Sequence, residues 1–208
     1  MKPNIFKPLF LLLALIVMSG NVVSAKESAE TLLDRAAANV RNAKSVRADY
    51  TIISDGHKQN GVLTICGDRF TISSPQISSW YDGRTQWTYS TQTGEVNITE
   101  PTPDELQQVN PFAIINSFRK TYKATLLNSP AGVKKIKLDA LNSANDIRSV
   151  VLTLDAAKLQ PSEIDLTLGN RRTVKIKINS MTAGNVLPVS AFRFDPKAHP
   201  GIPVVDLR

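Results

Sequence analysis

The 208-residue chain has one cysteine and two histidines. One cysteine excludes an intramolecular disulfide framework. With only two histidines beside it, a His/Cys zinc cluster is excluded too. No metal and no cofactor is expected. Catalytic signatures are also missing. The sequence has no G-x-S-x-G elbow, no phosphate-binding glycine loop and no H-E-x-x-H pair. His57 falls in a polar turn and His199 in a proline-rich tail. Cys66 would need a neighbouring base to act as a nucleophile. Asp104 and Glu105 stand in a first helical turn, where acids are favoured for other reasons. The chain is therefore expected not to be an enzyme.

A strong charge bias is absent as well. The formal net charge is +7, and the basic residues are spread along the chain. Lys175 and Lys177 alternate with Val174, Ile176 and Ile178, as on the wet face of a sheet. No nucleic-acid partner is expected. The long apolar run of a membrane span is missing too. Leu9–Met18 is an apolar stretch of ten residues, short of the roughly 20 a spanning helix needs. It follows Lys2 and Lys7, is broken at Gly20-Asn21, and precedes the small-x-small site Val23-Ser24-Ala25. This is the pattern of a secretory signal peptide over residues 1–25, cleaved before a single domain at 26–208. The absence of a cysteine at the cleavage site excludes lipid attachment there. The mature chain is expected in the periplasm, unanchored, and as a monomer.

What remains is hydrophobic periodicity. Ser28 is a plausible N-cap for a helix over Ala29–Ala43, with Leu33, Ala36 or Ala37, and Val40 at helical spacing. Period two then takes over. Ala48, Tyr50 and Ile52 form one strand face, followed by Leu63 and Ile65, then Phe70 and Ile72. Asp82-Gly83 predicts a two-residue type I′ hairpin between Ile77–Tyr81 and Arg84–Ser90. That hairpin sets Trp80, Trp87 and Tyr89 on one face. Glu95–Thr99 is a further strand, ended by Pro101 and Pro103. Pro103–Val109 predicts a short helix. Asn110-Pro111 predicts the start of another, with Phe112, Ile115 and Phe118 on its apolar face. Further strands are predicted at Tyr122–Leu127, Val133–Asp139, Ser149–Asp155, Glu163–Leu168, Thr173–Asn179 and Ala191–Phe194. The sum is a mainly β, α+β fold: an incomplete, curled antiparallel β-barrel of about 11 strands, with helices packed in its concave face as a lid.

Several segments, in order, carry a resemblance. They are Leu32-Leu-Asp-Arg-Ala, Arg47-Ala-Asp-Tyr50-Thr, Gly61-Val-Leu-Thr-Ile65 and Asp82-Gly-Arg-Thr-x-Trp87-x-Tyr89. Asn110-Pro-Phe-Ala-Ile-Ile115, Phe192-Arg-Phe194-Asp-Pro196 and Gly201-Ile-Pro-Val-Val-Asp206 follow. Together they resemble the periplasmic outer-membrane lipoprotein carriers of the LolA family. The resemblance implies an open β-barrel closed by a helical lid over an acyl-chain cavity. It implies triacylated lipoprotein as cargo, an inner-membrane ATP-driven lipoprotein-releasing transporter as donor, and an outer-membrane acceptor. Tyr50, Leu63, Phe70, Trp80, Trp87, Tyr89, Phe112, Ile115 and Phe118 are the expected cavity and lid residues. Family members often place an Arg-Pro pair before the residue matching Phe70, the arginine bonding the lid. Here Arg69 is adjacent to Phe70 without the proline, so its part as a lid contact is open. A carrier or sensor of another amphiphile, or a non-catalytic envelope interaction module, are the alternatives.

Overall fold

The computed structural model describes residues 27–103, 105, 106, 110 and 112–208, without the side chains of Phe112, Asn116 and Ser117. The expected leader, residues 1–25, lies outside the described residues.

Helix α1 spans Ala29–Asn42, and the Ser28 hydroxyl caps it by accepting from the Thr31 amide at 3.1 Å. Ala29, Leu32, Leu33, Ala36 and Ala37 are buried, the three-and-four spacing of a helix with one apolar stripe. Helix α2 spans Phe112–Thr121. Among its described side chains, Ile114, Ile115 and Phe118 are buried. It runs without a loop into the next strand, which begins at Tyr122. Of the short helix expected at Pro103–Val109, Pro103, Glu105 and Leu106 are helical; Asp104 and residues 107–109 lie outside the described residues.

The strands are β1 (Ser45–Ser54), β2 (His57–Cys66), β3 (Arg69–Ser73), β4 (Ile77–Tyr81), β5 (Gln86–Ser90), β6 (Glu95–Thr99), β7 (Tyr122–Leu127), β8 (Val133–Ala140), β9 (Ile147–Asp155), β10 (Pro161–Leu168), β11 (Thr173–Gly184) and β12 (Val204–Asp206). They form one twelve-stranded sheet in the order β12-β6-β5-β4-β3-β2-β1-β11-β10-β9-β8-β7. The sheet is open, with β12 and β7 at its edges. Every neighbouring pair is antiparallel except β12 on β6, which is parallel.

One face is continuous across this order. The register sets Ile136 opposite Leu152, Leu152 opposite Ile164, Ile164 opposite Ile176, and Ile176 opposite Ile52. Leu63 stands opposite Ala48 and Ile72. These residues, with Tyr81 on β4 and Tyr122 on β7, belong to the same buried cluster as α1 and α2. Strands about 4.8 Å apart reach a common core from β4 to β7 only if the sheet curls around the helices. The helices therefore fill the concave side, as the patterning of the sequence predicts. The opposite face of β8–β11 is wet and cross-paired: Lys175 reaches Glu163 at 2.6 Å and Asp165 at 2.8 Å.

Two local expectations are corrected. Ala191–Phe194 is not a strand; Val189–Phe192 forms a 3-10 turn between Pro188 and Pro196, whose missing amides cannot join a ladder. β12 follows instead, only three residues long. The hairpin loop at Asp82-Gly83 is also longer than two residues. Tyr81 pairs with Gln86 and Trp80 with Trp87, because the Asp82 carboxylate accepts from the Arg84 and Thr85 amides at 3.1 and 3.0 Å and closes a four-residue loop.

Candidate functional site

A cleft of about 360 Å³ opens between the helices and the curled sheet. Its apolar wall is Ala37 and Val40 on α1, Ile65 and Phe70 on β2 and β3, Tyr81 on β4, and Leu106, Ala113 and Ile115 on the lid side. Gly67, Asp68, Arg69, Gly83 and Asn110 complete its lining. The Phe70 and Tyr81 rings are paired across the strands, 5.2 Å apart. Burial pushes the Tyr81 phenol above its ordinary range, and the Asp68 and Asp82 carboxylates push it the same way. The hydroxyl is therefore neutral at physiological pH.

The expected site residues divide into two groups. Phe70 and Ile115 line the cleft. Tyr50, Leu63 and Phe118 belong to the same buried cluster without reaching its wall. The Phe112 side chain lies outside the described residues. Trp80, Trp87 and Tyr89 do share one face, but it is the other one. Thr71 stands opposite Trp80 while its neighbour Phe70 stands opposite Tyr81, and adjacent strand residues point to opposite sides. The indoles are thus turned away from the helices.

What covers that outer face is the chain beyond β11. Phe192, fully buried, and Phe194 belong to this segment. Phe194 meets Trp80 edge-on at 5.5 Å and stacks on His199 at 5.2 Å. Arg193 donates to the Asp82 carboxylate at 2.7 Å. Burial alone would raise the Asp82 pKa; the Thr85 amide, Arg193 and the Arg84 amide outweigh it, and the net shift is downward. Arg69 also belongs to this side. Its guanidinium lies over the Phe192 ring, 5.3 Å from the centroid, and donates to the Cys66 sulfur at 3.7 Å. Neither of these contacts is to α2.

Sequence reasoning missed Ala37, Val40, Ile65, Leu106, Ala113 and Tyr81 as wall residues. Aromatics on both faces of β4, at Trp80 and Tyr81, were the available signal that both faces are covered. Among the described residues no group of three His, Cys, Asp or Glu side chains converges, and no helix is long and apolar enough to cross a membrane.

A family model described as outer membrane lipoprotein carrier protein LolA matches residues 19–170. The chain belongs to this family. The match ends before β11, so the outer segment and β12 lie beyond it. No match is found among curated proteins. Among solved structures, an uncharacterised conserved protein from Thermus thermophilus is similar with a TM-score of 0.59 at 12% identity, covering 86% of this chain and 98% of that one. A putative outer membrane lipoprotein-sorting protein domain from Vibrio parahaemolyticus gives 0.48 at 10% identity, over 79% and 96% of the two chains. A LolA superfamily protein from Nitrosomonas europaea gives 0.45 at 12% identity, over 81% and 98%. At these identities the likeness to the Thermus protein supports the open-sheet fold.

Proposed function

We propose that this LolA-family chain is a non-catalytic periplasmic carrier, freed of residues 1–25, that shields the acyl chains of lipoproteins between the inner and outer membranes. An inner-membrane ATP-driven transporter would load it and an outer-membrane acceptor would unload it. The observation that carries the reading is the cleft, a largely apolar space between the curled sheet and the helices. Each CH₂ removed from water is worth about 0.8 kcal/mol, so a buried acyl chain supplies ample affinity and release becomes the problem. A movable wall solves it. Helix α2 is seated by the burial of Ile114, Ile115 and Phe118, and at its exposed side it meets α1 through the Asp34–Arg119 ion pair, an interaction worth about 0–1 kcal/mol. Its apolar face fills the cleft when empty and yields to a chain on entry.

A second reading, a carrier or sensor of another amphiphile, is favoured by size. At about 360 Å³ the cleft stands at the low end of small-ligand pockets, roughly 300–1,000 Å³. Three acyl chains would need α2 to move outward. Affinity capture of the tagged protein from a periplasmic extract without detergent, followed by mass analysis of what co-purifies, tests both. Acylated lipoprotein supports the carrier of lipoproteins. Free lipid alone replaces it with the amphiphile reading.

A further inference from the structure

The concave face changes chemistry at β4. The register turns Ser79, Gln86, Thr88, Asn97 and Thr99 to the same side as Tyr81, which lines the cleft. All five are hydroxyls or amides. Ser79 and Gln86 are buried. The Gln86 amide nitrogen donates to the Ser79 hydroxyl at 2.8 Å and to the Thr88 hydroxyl at 3.2 Å. This fixes a polar floor beside the cleft, beyond the residues that line it. Asn97 and Thr99 extend it, half-buried, and among the described residues no hydrogen bond is made by either side chain. The acidic side chain that this face of β4–β6 carries is Glu95, at the start of β6.

A compartment for hydrocarbon alone has no use for such a floor, since polar groups covered by an alkyl chain lose their water without compensation. A headgroup bearing a negative charge would find no cation on it and would face Glu95. We infer that this patch is a headgroup subsite, taking the uncharged amide, ester or hydroxyl end of a ligand whose acyl chain lies past Tyr81 in the cleft. The inference rests on the acyl-chain reading of the cleft. The same chemistry comes from two sources, an N-acylated peptide end and an acylglycerol.

Isothermal titration of the protein expressed from its full sequence tests this, with N-palmitoyl glycinamide, 1-monopalmitoyl glycerol and palmitate as probes. At least one neutral probe should bind about tenfold more tightly than palmitate, the worth of one or two hydrogen bonds; which one does so identifies the source. The Asn97→Leu/Thr99→Val variant should lose that ratio while binding palmitate as before. The near-isosteric Thr99→Val alone should lose part of it, and guards against a folding defect in the double variant. An unchanged ratio in both variants overturns the headgroup subsite and leaves the cleft reading intact. Failure of all three probes to bind the wild-type chain overturns the cleft reading and this inference with it.

Discussion

A Cβ at Gly61 would lie 2.4 Å from the Tyr50 hydroxyl and 2.5 Å from its ring carbon Cζ. The ring lies over this glycine in the middle of β2, so Tyr50 owes its buried position to the absence of a side chain across the ladder. Gly61→Ala is expected to lower stability by about 1–3 kcal/mol, the cost of overpacking, read as a lower urea midpoint. Adding Tyr50→Leu should recover part of the loss, because the two residues share one space. Asp82 acts at the same scale. Its folded pKa lies below the ordinary 3.8, so the ionised carboxylate stabilises the fold at neutral pH, and this contribution is lost as pH falls below about 4. Asp82→Asn should remove that part of the acid sensitivity: the wild-type advantage over the variant in thermal midpoint shrinks between pH 6 and pH 3. An advantage that grows toward pH 3 contradicts the assignment.

Asp-Gly pairs mark two hairpins and give two different loops. Asp55-Gly56 has φ of 51° and 78° and joins Ser54 directly to His57, the two-residue turn that the dipeptide predicts. Asp82-Gly83 would have done so too, but its carboxylate captures the next two amides and Arg193 holds it from afar. The partner 111 residues away is not legible from local sequence. The paired strands and both principal helices are legible because their periodicity records one buried face each. The outer segment is not, because Phe192 and Phe194 stand among prolines and bury themselves without a repeating pattern. For the same reason the cavity residues are only partly legible: Phe70 follows from strand alternation and Ile115 from helical spacing, whereas the facing of Trp80 and Trp87 depends on which of two apolar faces looks inward. The lid is an element-scale property as well. Arg119→Glu sets two acids against each other across α1 and α2. It should speed uptake of an acylated peptide several-fold in stopped-flow fluorescence, an effect that fades at about 1 M salt, where charges are screened beyond roughly 3 Å. Equal rates for variant and wild type at low salt would remove the ion pair from the account of the lid.

At the scale of the molecule, the sheet has two differently covered halves. Toward β8–β11 one face meets the helices and the other meets water. Toward β3–β6 the inner face carries the cleft and, beside it, the polar floor, and the outer face is packed under Phe192, Phe194 and His199. The site thus sits where the sheet is covered on both sides. Native mass spectrometry of the protein recovered from periplasm without detergent tests this most directly. The wild type should carry an acylated lipoprotein adduct. Ile115→Asp, which puts a charge on the cleft wall, should abolish it, and Trp87→Gln, on the opposite face, should leave it in place. A wild-type protein that stays bare and also ignores an offered acylated peptide would contradict the carrier account; so would an adduct that survives Ile115→Asp and is lost with Trp87→Gln.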